Sequence, residues 1–129
     1  MPRPKRNRPT DGELEILQVL WTQGPSTVRQ VHQAISSVRQ VGYTSVLKLI
    51  QIMTEKGLLR ADKAVRPQVF EPARSRGDTQ GVLVKDLLDR AFNGSPERLV
   101  LQALSSKQAT PEERKRIREL LDRLEEESE

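Results

Sequence analysis

The hydrophobic period of this chain changes twice, and that limits its fold more than any other feature. Apolar residues recur at helical spacing through Met53, form two short runs between Leu58 and Glu71, and return to helical spacing from Asp78 onward. An amphipathic helix places apolar residues at i, i+3, i+4 and i+7, whereas strands are short runs bounded by turn residues. The chain is therefore expected to form three helices, a β-hairpin and three more helices, in that order.

Local signals place the boundaries. Thr10-Asp11-Gly12-Glu13 fits the S/T-x-x-E capping box, in which the threonine oxygen and the glutamate satisfy amide donors at a helix start. Leu14, Leu17, Leu20 and Trp21 then form the expected buried stripe, and Gln23-Gly24-Pro25 stops the helix. Ser26 is the expected N-cap of a second helix with Val28, Val31 and Ile35 on its inner face, ending near Ser36-Ser37. After a short connection containing Gly42, a third helix starts at Thr44. It carries Leu47, Ile50 and Met53 on one face, with Val46 and Leu49 beside them, and it ends at Lys56-Gly57.

Leu58 to Asp62 and Gln68 to Glu71 read as the two strands, with Lys63 to Pro67 as a polar, cationic tip. A helix-turn-helix followed directly by a hairpin is a winged helix, the hairpin being the wing. Helical spacing resumes in Val82, Val84, Leu87, Leu88, Ala91 and Phe92 up to a break at Asn93-Gly94. Ser95-Pro96-Glu97 and Thr110-Pro111-Glu112-Glu113 are two further helix starts, with a hydroxyl at the cap and proline at the first helical position. The expected fold is mainly α with a small β-hairpin. Residues 1–9 form a basic flexible arm, 10–76 an N-terminal winged helix-turn-helix, and 77–129 a helical dimerisation domain. Leu87, Leu88, Phe92, Leu99, Leu101, Leu104, Ile117, Leu120, Leu121 and Leu124 are the candidate dimer seam, because helices this short and apolar need a second copy to cover them.

Charge separates the same two parts. Residues 1–76 carry 13 Lys/Arg and 6 Asp/Glu, whereas 77–129 carry 9 and 12, so only the first part suits a polyanion. The arm, Met1 to Pro9, reads either as a backbone or minor-groove contact or as a solvated tail. The chain has no cysteine, which removes disulfides, thiolate metal sites and thiol nucleophiles and fits a reducing cytoplasm. It also lacks any run of about 18 apolar residues, so no membrane span is expected.

Catalytic chemistry finds no foothold. His32 is the only histidine, and without Cys, a second His or triad partners at readable spacing it fits packing or a surface better than a metal or a base. Neither G-x-x-x-x-G-K nor G-x-G-x-x-G occurs, and the acidic run Glu125 to Glu129 reads as a solvated terminus. No enzyme, cofactor or metal is expected. Nucleic-acid binding is better supported. Opposite its apolar face, the third helix presents Thr44, Ser45, Lys48 and Gln51. Lys48 suits guanine acceptors or a phosphate, Gln51 the adenine edge, and Thr44 and Ser45 with the first amides a phosphate. Arg60, Lys63 and Arg66 supply a cationic wing beside them. Tyr43 either stacks on the sugar-phosphate backbone or closes the turn, and Arg29 either meets a phosphate or is an ordinary surface arginine. The expected partner is double-stranded DNA with a palindromic site. Two rivals are a winged-helix protein-interaction module that never touches DNA and a regulator with a small-molecule pocket between the two halves.

Several segments also resemble a known family. Thr10 to Leu17, Leu20-Trp21, Val28 to Val31, Tyr43-Thr44-Ser45-Val46, Lys56-Gly57-Leu58-Leu59 and Val69-Phe70-Glu71-Pro72 together resemble the penicillinase repressor family (BlaI/MecI/CopY). The resemblance covers roughly residues 10 to 125. It implies a homodimeric cytoplasmic repressor with N-terminal winged helices, C-terminal dimerisation helices and palindromic operators. It also implies a regulatory protease that cuts within the dimerisation part, the matching stretch here being Leu99 to Leu104. The Asn-Phe pair cut in the best-known members is Gln102-Ala103 in this chain, a departure from the pattern on which proteolytic induction rests. The copper branch senses metal through cysteines, and this chain has none, so that mode is not expected in its known form; Ile52 stands where many members have a basic residue after the recognition-helix glutamine.

Overall fold

The computed structural model describes residues 8–105 and 109–128. The elements run α1 (Asp11–Gln23), α2 (Val28–Ser36), α3 (Tyr43–Glu55), β1 (Leu59–Asp62), β2 (Val69–Pro72), α4 (Arg76–Ala91), α5 (Pro96–Ser105) and α6 (Pro111–Ser128).

The capping box at the start of α1 forms: Thr10 Oγ1 accepts from the Glu13 amide at 3.2 Å, and Glu13 Oε1 accepts from the Thr10 amide at 2.9 Å. The buried stripe is rotated from the expected one. Ile16, Leu17 and Leu20 are buried together with Glu13, while Leu14 and Trp21 are only half-buried. Positions 13, 16, 17 and 20 are one helical face, and the carboxylate at its head disguises it in the sequence. Of the expected arm, residues 1–7 lie outside the described residues, and Pro9 is buried.

Ser26 is not the cap of α2. Thr27 is: its Oγ1 accepts from the Gln30 amide at 3.1 Å, and Gln30 Oε1 accepts from the Thr27 amide at 2.9 Å. Ser26 is buried and bridges Phe70, its amide donating to the Phe70 carbonyl at 3.1 Å and its carbonyl accepting from the Phe70 amide at 2.8 Å. The connection between α1 and α2 thereby adds a short third edge to the two-stranded sheet.

Helix α3 starts one residue earlier than expected, at Tyr43, with Gly42 as N-cap. At its other end Gly57 takes φ +82°, Leu58 donates to the Met53 carbonyl at 2.8 Å, and Gly57 donates to the Thr54 carbonyl at 3.1 Å. This is the Schellman closure, and it turns the chain directly into β1. The strands pair antiparallel, with Leu59 opposite Pro72, Arg60 opposite Glu71, Ala61 opposite Phe70 and Asp62 opposite Val69. Leu59 and Phe70 close a core made with Ile16, Leu17, Leu20, Val28, Val31, Ile35, Val46, Ile50 and Met53. Gly12 sits where a Cβ would come within 3.1 Å of Leu49 Cδ2, so α1 and α3 approach closely there.

The chain divides into two compact units, the first ending at Leu83 and the second beginning at Val84. The division falls inside α4, later than the expected 76/77. The start of α4 belongs to the first unit, where Arg76 lies 5.7 Å from the Trp21 ring centroid and Thr79 is buried. In the second unit, Asn93 (φ +50°) and Gly94 (φ +77°) terminate α4. Ser95 Oγ accepts from the Arg98 amide at 3.2 Å, and Thr110 Oγ1 accepts from the Glu113 amide at 3.1 Å, capping α5 and α6. Neither α5 nor α6 has a buried residue.

Candidate nucleic-acid interface

The candidate site grows from α3. Val46, Ile50 and Met53 turn one side of this helix into the core. At about 100° per residue, the opposite side then carries Thr44, Ser45, Lys48, Gln51, Ile52 and Glu55, and all six are exposed. Hydroxyls and a lysine occupy the first two turns of this face. The acidic Glu55 stands at the last turn, where it repels a phosphate. Charge alone therefore orients the helix with its N-terminal end toward a polyanion.

The helix start agrees with that polarity. The first amides of α1 and α2 are closed by capping boxes, whereas Gly42 offers α3 no side-chain cap. The leading N–H groups of α3 are left for solvent or for an incoming anion.

Around this face the basic residues fall into two groups. Arg39 grips Glu15 with two nitrogens, Nη2 at 2.7 Å and Nε at 3.0 Å, holding that carboxyl below its ordinary range. Lys56 Nζ donates to Glu13 Oε2 at 2.8 Å, and Arg60 Nη2 pairs with Glu71 Oε1 at 3.1 Å across the hairpin. Arg60, expected beside Lys63 and Arg66 as a wing cation, is thus held by its cross-strand neighbour. Arg29, Lys48, Lys63 and Arg66 make no ion pair among the described residues.

Those uncommitted cations lie beside the α3 face. A groove of roughly 970 Å³ between α2, α3 and the wing is lined by Arg29, His32, Tyr43, Gln51, Arg66 and Gln68, among others. Lys63 lines a neighbouring depression of about 450 Å³ that shares Gln51 and Gln68 with it. The structure therefore brings Arg29, Tyr43, Gln51 and Arg66 around one groove, with Lys63 next to it. Thr44, Ser45 and Lys48 stand on the open face of α3.

His32 has a structural place. Its Nε2 lies 2.9 Å from the Val41 carbonyl, which only accepts, so this nitrogen carries the proton; Ser36 Oγ is 3.1 Å away. The His32 ring meets Tyr43 edge-on at 5.6 Å, which fixes Tyr43 at the entry of α3. Sequence reasoning overlooked Gln68 and the uncapped Gly42, neither of which carries a visible signal in the sequence. Ile52, noted there as the residue that follows Gln51, is an apolar residue standing on the polar stripe.

The candidate dimer residues all fall in the second unit. Leu88, Phe92, Leu99, Leu104 and Ile117 are half-buried, and Leu87, Leu101, Leu120, Leu121 and Leu124 are exposed, Leu101 at 61%. No described helix is long and apolar enough to cross a membrane.

The protein family described as Penicillinase repressor matches residues 9–123. Among similar proteins, a Mycobacterium tuberculosis protein named Transcriptional regulator BlaI is 31% identical over 98 residues, covering 75% of this chain and 71% of the relative. A Bacillus licheniformis protein named Penicillinase repressor is 28% identical over 113 residues, covering 88% of each. The solution structure of monomeric Bacillus licheniformis BlaI with the blaP half-operator aligns with a TM-score of 0.49 at 22% identity, over 55% of this chain and 87% of that one.

Proposed function

The chain belongs to the penicillinase repressor family, a family of transcriptional repressors and not of enzymes, and from that premise we propose that it represses as a homodimer on a palindromic operator. The observation that carries the proposal is the outward face of α3, uncapped at its N-terminus and flanked by cations that no carboxylate holds among the described residues.

In this reading Thr44, Ser45 and the first amides of α3 hold a phosphate, and Lys48 and Gln51 meet base edges in the major groove. Arg29 and Arg66 at the groove, with Lys63 beside it, hold the flanking backbone, and Tyr43 packs on its sugars. Arg60 is left out because Glu71 neutralises it. The rival reading, a winged-helix module that meets only protein, calls for an acidic or apolar face on α3. Thr44, Ser45, Lys48 and Gln51 do not provide one.

The homodimer rests on the second unit. Ile117, Leu120, Leu121 and Leu124 repeat at i, i+3, i+4 and i+7 along α6, and the last three are each about half exposed. An apolar stripe of this kind is stable in water once a second copy covers it. Two α3 helices one duplex turn apart then require a palindrome. The proposed place of action is the cytoplasm. A regulatory protease stays outside the proposal: the Gln102–Ala103 bond lies within α5, and cleavage favours loop tips over helix interiors.

Titrating the protein into random duplex DNA at rising salt tests the proposal. Binding at low salt that weakens steeply, with a log–log slope near −0.9 for each phosphate held, is expected. Absence of binding at the lowest salt overturns it.

A further inference from the structure

Resting on the reading of α3 as the helix that enters the major groove, we infer that Ile52 reads the 5-methyl group of a thymine in each half-site. A single exposed apolar residue is ordinary on a protein surface, so exposure alone says nothing. Ile52 is distinguished by its location. It is 38% exposed on the outward face of α3, one turn after Lys48 and two turns after Ser45. Around the helix it falls between those two residues, on the far side of Lys48 from Gln51. Gln51 lines the groove toward the wing, and Ile52 does not.

The chemistry of the major groove leaves one role for such a side chain. Every hydrogen-bonding atom on the base edges is wasted on an isoleucine, and burying one against it is costly. Thymine alone presents an apolar group there, its C5-methyl. An isoleucine carried into the groove between a lysine and a serine is stable when it covers that methyl and unfavourable against the cytosine amino group or the purine acceptors. Gln51 and Ile52 thus give α3 two readers on opposite edges of one face, a polar one for adenine and an apolar one for thymine.

Replacing thymine by deoxyuridine removes this methyl and nothing else on the base edge. A duplex selected by the full-length protein is rebuilt with one thymine at a time replaced by uracil, and affinities are measured for the wild type and for Ile52→Ser. Because the side chain is exposed, the variant is expected to fold; Ile52→Val serves as the conservative control. At one thymine per half-site, uracil is expected to weaken wild-type binding about fourfold, the transfer value of one methyl-sized group. Ile52→Val is expected to keep that sensitivity and Ile52→Ser to lose it. Equal sensitivity of wild type and Ile52→Ser at every thymine overturns the inference while leaving DNA binding intact. Failure to bind any duplex overturns the underlying reading and this inference with it.

Discussion

Charge at single residues separates the cations that hold the fold from those proposed to meet DNA. Lys63 and Arg60 are close in sequence, yet only Arg60 has a carboxylate opposite it. Lys63→Ala is therefore expected to weaken binding to all duplexes alike and to lower the salt slope by about 0.9, one phosphate contact, whereas Arg60→Ala changes the slope less. Anisotropy titrations at several salt concentrations measure both. Glu13 shows the structural use of charge. Burial raises the pKa of its carboxyl, but the hydrogen bond from Lys56 and the contacts with Thr10 outweigh this and hold it below its ordinary 4.5. A lowered folded pKa means that the stabilisation is present above about pH 4.5 and is lost as pH falls through the folded value. The pair is asymmetric: Glu13 is 2% exposed at its side chain and Lys56 36%. Lys56→Met strands a buried carboxylate and is expected to cost about 1–3 kcal/mol at pH 7 in urea unfolding. Glu13→Gln keeps the capping box, lets Lys56 turn to water, and is expected to cost less and to flatten the loss of stability in acid. A glutamate inside a core stripe was illegible in the sequence because its partner lies 43 residues away.

At the scale of elements, most helix starts were legible because their signals are local. The Thr10–Glu13 box, Ser95-Pro96 and Thr110-Pro111 each cap the helix they announce. Ser26 and Thr27 show where local reading ends. Both residues are good caps, and only the pairing of Ser26 with Phe70, far along the chain, assigns the role to Thr27. Thr27→Ala is accordingly expected to cost about 1 kcal/mol. Gly57 was legible as a helix stop, and its φ of +82° gives the reason. Gly57→Ala is expected to cost about 1–2 kcal/mol in thermal or urea unfolding, since a Cβ strains the left-handed turn that hands α3 over to the wing. The polar face of α3 followed from periodicity alone. The groove beside it did not, because Arg29, Gln51 and Arg66 come together only through the packing of α2, α3 and the hairpin.

For the molecule as a whole, the contrast between a basic first part and an acidic second part agrees with the proposed division between a unit that faces DNA and a unit that pairs with a second copy. The exposed stripe of α6 is the proposed seam, so Leu120→Glu with Leu124→Glu is expected to give a monomer by sedimentation and to weaken binding to a full palindrome far more than to one half-site. The central claim is that the outward face of α3 reads sequence. Selection from random duplexes, run in parallel for the wild type and Gln51→Ala, tests it most directly. The wild type is expected to enrich a palindrome, and Gln51→Ala the same palindrome with preference relaxed at one symmetric pair of positions. Identical enriched sequences from the two proteins, or no enrichment by the wild type, contradict the claim.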